Sequence, residues 1–97
     1  MNYSVTVAEA AENDIRQAFL WYEDQKENLG TIFQEHINKA IDSIHNNPLK
    51  VQIRYSNTRV YFLNKFPFGI HFQVNETQIL IVAAFHTSQN PKLWSTR

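Results

Sequence analysis

The chain has 97 residues, no cysteine, only two glycines and a formal net charge of zero. That length supports one domain spanning residues 1–97, and the absence of cysteine excludes a disulfide framework and a thiolate metal site. A neutral total argues against binding to nucleic acid through the overall field, and low glycine argues against a disordered chain. No apolar run is long enough to span a bilayer and no signal peptide precedes the first element, so a cytoplasmic, membrane-free protein is expected. The neutrality hides an asymmetry: residues 1–47 carry a net −5 and residues 48–97 a net +5. Such a split marks either a partner surface or the ordinary preference of helices for glutamate.

In chain order, Tyr3-Ser-Val-Thr-Val7 alternates as a short strand does. From Ala8 the period changes. Ala11, Ile15, Ala18, Phe19 and Tyr22 recur at helical spacing and form one apolar stripe, with Glu9 and Glu12 in the first turn, where the helix dipole favours acids. Gly30 is expected to stop this helix. A second helix is predicted from about Thr31, with Phe33, Ile37, Ala40, Ile41 and Ile44 as its stripe and Asn46-Asn47-Pro48 as its end. The short connection predicts an antiparallel helical hairpin.

After Val51-Gln-Ile-Arg-Tyr55 and a polar break at Ser56-Asn57-Thr58, three strands are predicted, at about 59–64, 68–75 and 78–86. On the middle one, Phe68, Ile70, Phe72 and Val74 share a face and Gly69, His71 and Gln73 the other. The run 79–85 is apolar on both faces, as in a central strand. The fold class is therefore α+β, in the order β-α-α-β-β-β, with the hairpin on one face of a small antiparallel sheet. The opposite face is expected to present Arg59, Tyr61, Lys65, His71 and Gln73.

This arrangement resembles the RelE/ParE superfamily of bacterial type II toxin–antitoxin systems over essentially the whole chain. Lys65-Phe-Pro-Phe-Gly-Ile-His-Phe72 resembles the family's aromatic strand, and His86, Pro91, Trp94 and Arg97 resemble the ending of ParE-like members. The resemblance implies a small toxin neutralised by an antitoxin that wraps around it. ParE-like members block DNA gyrase by protein contact, whereas RelE-like members cut messenger RNA on the ribosome. Gln89 stands where the ParE-like ending often has arginine, and the dense cations of RelE-like nucleases are thin here.

Two chemistries stay open. RNA cleavage needs a proton acceptor, a donor and cations for the phosphate. His86 would serve as acid or base, Arg54, Arg59 or Lys65 would hold phosphate, and Tyr61 or Trp94 would stack a base. Alternatively His86 is a strand-end histidine that ties down the tail, and Trp94 a lid on the core. A contact function fits the neutral charge better, with Arg59, Lys65, His86, Trp94 and Arg97 toward the target. His36 and His45 are expected to be plain surface residues. Leu20 falls opposite the stripe of the first helix and Trp21 on its flank, a candidate patch for an antitoxin or for a second copy of the chain. No metal site is expected, since the histidines are scattered, and no cofactor is expected. The preferred reading is a ParE-like toxin acting by binding. The alternatives are a ribosome-dependent mRNA endonuclease and a degenerate member that only binds its antitoxin.

Overall fold

The computed structural model describes residues 2–89, Pro91 and Trp94. A first strand, β1 (Ser4–Val7), leads into α1 (Glu9–Gln25) and α2 (Leu29–Asn46). A 3-10 turn at Pro48–Lys50 follows, then β2 (Ile53–Tyr55), β3 (Thr58–Phe62), β4 (Phe68–Asn75) and β5 (Gln78–His86). The two helices cover one face of a five-stranded sheet of order β1-β5-β4-β3-β2. The α+β expectation holds, with two differences. The segment after Pro48 supplies an extra edge strand, β2, and β1 pairs with β5 in parallel, so the sheet is mixed. The helical hairpin carries the chain from β1 to β2 at the opposite edge, and β3 and β4 bring it back to β5 beside β1. Among the described residues no helix is long and apolar enough to cross a membrane.

The predicted helical stripes are buried at Ala11, Ile15, Ala18 and Tyr22 of α1 and at Phe33, Ile37, Ala40 and Ile44 of α2, while Phe19 and Ile41 are half-buried against them. They close on Ile70, Phe72, Ile79, Ile81 and Ala84 of the sheet. At one end of this core Tyr22, Phe33, Phe66 and Phe68 stack, with ring centroids 5.0–6.1 Å apart and mostly edge-to-face. That geometry suits the quadrupoles of the rings and makes this end of the core stiff.

Gly30 has a different role from the one expected of it. The chain reverses at Asn28, which takes the left-handed conformation (φ 70°), and Gly30 lies buried in the first turn of α2. A Cβ there would sit 2.6 Å from the Phe19 carbonyl oxygen and 3.0 Å from the Glu23 side chain. Gly30 therefore lets the two helices touch, a condition set by packing. Glu23 completes the joint: its carboxylate accepts from the backbone N–H groups of Asn28 at 2.9 Å and Gly30 at 3.0 Å. Those amides begin α2 and have no intrahelical partner.

The sheet turns where the sequence indicates. Ser56 and Asn57, both at positive φ, join β2 to β3, the conformation that favours asparagine in a two-residue hairpin. Glu76, also at positive φ, turns β4 into β5. A bulge at Val82 shifts the β4–β5 register between His71 and Phe72. Beside it, Asp14 of α1 accepts the Ala84 N–H at 3.1 Å and ties the helical layer to the central strand.

Candidate functional site

The parity of β3 differs from the expectation. Arg59 pairs with Phe72 and Tyr61 with Ile70, so both lie on the helix side of the sheet. Thr58, Val60 and Phe62 take the open face instead, opposite Gln73, His71 and Gly69. Tyr61 packs against the core. The Arg59 guanidinium donates to the carbonyls of Val51 (2.5 Å) and Leu49 (3.4 Å) and so anchors the chain that leaves α2. Arg54 lies over the Phe62 ring at 5.1 Å, a cation–π contact.

The open face carries a buried polar core. His71, 1% exposed, meets the Tyr55 hydroxyl through Nδ1 at 2.9 Å. Its ring is packed by Phe85 at 5.0 Å and Trp94 at 4.7 Å, and Tyr55 also contacts Trp94 at 5.5 Å. Trp94 thus lies against the back of the sheet, as a lid would, and its indole N–H is buried with no acceptor among the described residues. Arg97 lies outside the described residues.

The remaining histidines are engaged locally. His45 Nε2 lies 2.6 Å from the Tyr3 carbonyl and links the end of α2 to the entry of β1, so it does more than the plain surface residue expected. His36 is half-buried with its ring 5.3 Å from Phe66, also against expectation. Lys65 lines a shallow depression with Tyr61, His36, Lys39 and Asn64 beside α2. Among the described residues no three histidine, aspartate or glutamate side chains gather to hold a metal.

His86 ends β5 on the helix side, paired with Phe68 at a ring distance of 5.2 Å. Its Nδ1 accepts from the backbone N–H of Ser88 at 3.0 Å, and the Ser88 hydroxyl lies 2.7 Å from the same nitrogen. The N–H contact fixes the tautomer of the neutral ring: Nδ1 is the acceptor, so Nε2 carries the proton. The strand-end histidine is therefore tied to the turn that follows it.

His86 also meets the α1 patch. Together with Ala18, Trp21, Tyr22, Pro67 and Phe68 it lines a mostly apolar cleft of about 430 Å³. Trp21, 60% exposed, forms an outer wall, with its ring edge-on to Tyr22 at 5.1 Å. Leu20, 53% exposed, is the neighbouring surface residue and lies outside the cleft. Sequence spacing placed Trp21 and His86 in different roles, and the fold brings them together. Tyr22, Pro67 and Phe68 were legible only as core or strand; the Phe-Pro-Phe segment was the signal for a turn that places an aromatic ring at the sheet end. A second groove, of about 480 Å³, runs between the helices over Val7, Ile15, Phe19, Ile37 and Ile41.

A family model described as the ParE toxin of type II toxin–antitoxin system, parDE, matches residues 5–91. Among solved structures, a chain of the chromosomal ParDE system of P. aeruginosa superposes with a TM-score of 0.78 at 16% identity, covering 89% of this chain and 97% of that one. A chain of the RelBE2 toxin–antitoxin complex of Mycobacterium tuberculosis gives 0.60 at 15% identity, covering 89% and 99%. One from the E. coli DinJ–YafQ toxin–antitoxin complex gives 0.60 at 9% identity, covering 89% and 93%. No curated protein matches the chain in sequence.

Proposed function

The chain belongs to the ParE toxin family of type II toxin–antitoxin systems, and from that premise we propose that it is the toxin half of a two-protein pair. Its antitoxin covers the helical layer, including Leu20 and Trp21, and its target, such as DNA gyrase, is inhibited by contact and not by cleavage. The similar structures come from toxin–antitoxin systems or complexes, which supports a protein partner of that kind.

The observation that supports the binding mechanism is the separation of His86 from Arg54, Arg59 and Lys65, the groups a nuclease would need together. A 2′-hydroxyl attack requires a base, an acid and cations around one phosphate. Here Arg59 is spent on two backbone carbonyls on the helix side. Tyr61 is half-buried at the depression that Lys65 lines, away from His86, and Arg54 lies on a phenylalanine. His86 and Lys65 line separate depressions. An apolar cleft with one histidine and a back face with Trp94 are better suited to gripping a protein. Arg59 accordingly has a framework role in this proposal, while Lys65, His86, Trp94 and Arg97 remain the target-facing candidates.

The test is induced expression of the chain alone. Growth arrest is expected, relieved by co-expression of a short neighbouring antitoxin gene. Purified protein should then block gyrase supercoiling while primer extension on cellular mRNA shows no new ends. Cuts in mRNA that vanish in His86→Ala would replace binding by RNA cleavage, and normal growth would leave only antitoxin binding.

A further inference from the structure

We propose that the depression between α2 and the connection from β3 to β4, with the adjoining one toward Lys50, binds a nucleotide, whose phosphate rests on Lys39 and Lys65. This binding site goes beyond the contact function above and does not rest on it.

Helical spacing builds one wall. His36, Lys39, Ser43 and Asn46 recur every three or four residues and form a polar stripe along α2, beside the buried Phe33, Ile37, Ala40 and Ile44. The register of β3 turns Tyr61 to the helix side, and the segment after β3 places Asn64 and Lys65 at the end where His36 and Lys39 stand. Two depressions result. The smaller, of about 210 Å³, is lined by His36, Lys39, Asn64 and Lys65, and the larger, of about 440 Å³, by Asn46, Asn47 and Lys50. Ser43 and Tyr61 line both, so the two are continuous.

The charge of the lining itself defines one part of the occupant. Lys39, Lys50 and Lys65 stand in these walls, and no carboxylate does: Glu35 and Asp42, the acids of α2, line neither depression. The His36 ring is held edge-on against Phe66 at 5.3 Å and offers a ring N–H. Ser43, Tyr61 and Asn64 add two hydroxyls and an amide, so every polar side chain of the smaller depression is able to donate a hydrogen bond. A group with high negative charge and several acceptor oxygens uses such a set fully. A phosphate supplies both, with more charge and one more oxygen than a peptide carboxylate.

The larger depression defines the rest. Asn46 and Asn47 each carry a donor and an acceptor, and the Tyr61 ring stands beside them. An aromatic ring next to amide groups suits a flat heterocycle that stacks on the one and bonds its edge to the other. Phosphate-binding and base-binding groups therefore meet at Tyr61, as the two ends of one nucleotide require.

The experiment titrates the full chain, 15N-labelled, with adenosine 5′-monophosphate, adenosine, inorganic phosphate and a capped Glu-Ser-Glu peptide. The monophosphate should give saturable shifts at the amides of Lys39, Ser43, Tyr61 and Lys65. Inorganic phosphate should bind about tenfold more weakly, the share of a stacked base. Adenosine should also bind about tenfold more weakly, since it lacks the charged contacts. Lys39→Gln and Lys65→Gln, both at exposed positions, should each weaken the monophosphate about threefold, and higher salt should weaken it further. Lys26→Gln, in the turn between the helices and in neither wall, should leave binding unchanged. The site is overturned if the monophosphate fails to saturate by about 20 mM, a range generous for so small a ligand. It is also overturned if the Lys39→Gln/Lys65→Gln protein, shown to be folded by its own spectrum, binds as tightly as the parent. Inorganic phosphate or adenosine matching the monophosphate would overturn the nucleotide assignment, and tighter binding of Glu-Ser-Glu would replace it by an acidic protein segment.

Discussion

Replacing Gly30 by alanine should destabilise the protein, although Gly30 lies inside a helix. Alanine is the better helix former by about 0.8–1 kcal/mol, so propensity alone predicts a gain. The added Cβ, however, falls 2.6 Å from the Phe19 carbonyl oxygen and 3.0 Å from both Cβ and Oε1 of Glu23. The nearest of these is a backbone atom of the facing helix and cannot rotate away, so α1 and α2 must separate. Overpacking of this kind costs about 1–3 kcal/mol. The same movement pulls the Glu23 carboxylate off the Asn28 and Gly30 amides, and losing such a cap costs about 1 kcal/mol more. The balance is a net loss of about 2 kcal/mol. In urea, with a slope of about 1–1.5 kcal/mol per molar for a small domain, the midpoint should fall by about 1–2 M. Thr31→Ala, one residue further on at an exposed site of the same helix, serves as the control and should be neutral or slightly stabilising. A Gly30→Ala midpoint equal to or above that of the parent would refute the close helix contact.

Three further outcomes follow from particular contacts. Arg59→Ala should lower stability by about 1–2 kcal/mol by releasing the Val51 and Leu49 carbonyls, and Arg59→Lys should recover only part of it, because an ammonium lacks the planar fork; thermal unfolding measures both. Tyr55→Phe removes the hydroxyl that meets His71 Nδ1 and should cost about 1–2 kcal/mol; in a Trp21→Phe background the emission of Trp94 should shift to the red as its seat on the sheet loosens, and an unchanged spectrum would show that Trp94 is held without this pair. Burial raises the Tyr22 phenol above its ordinary value of 10.0, so the folded state keeps the proton that the unfolded chain loses. Its contribution is therefore intact below pH 10 and declines as pH rises above it, and Tyr22→Phe should lessen that alkaline loss in denaturant midpoints taken from pH 9 upward.

Features that depend on local period were legible in the residues. Ala11–Tyr22 and Phe33–Ile44 are buried as their 3.6-residue spacing requires, and β4 divides into an apolar and a mixed face as its alternation requires. The turns at Ser56-Asn57 and Glu76 lie where the polar breaks stand. The terminal pattern of His86, Pro91 and Trp94 pointed to the right superfamily. Matters of partnership were settled by the packing of distant elements. Alternation on β3 shows that Val60 and Tyr61 face opposite ways, but both are hydrophobic, so the pattern cannot say which meets the helices. Pairing with β4 settles it and carries Arg59 and Tyr61 to the helix side. Ile53–Tyr55 is too short to read as a strand until β3 offers a ladder. Gly30 looks like a stop signal because the helix that needs its missing Cβ is seven to eleven residues away. The meeting of Trp21 with His86, 65 positions apart, has no local signature at all. It exists because packing the hairpin on the sheet brings the flank of α1 to the end of β5, and only the complete core fixes that placement.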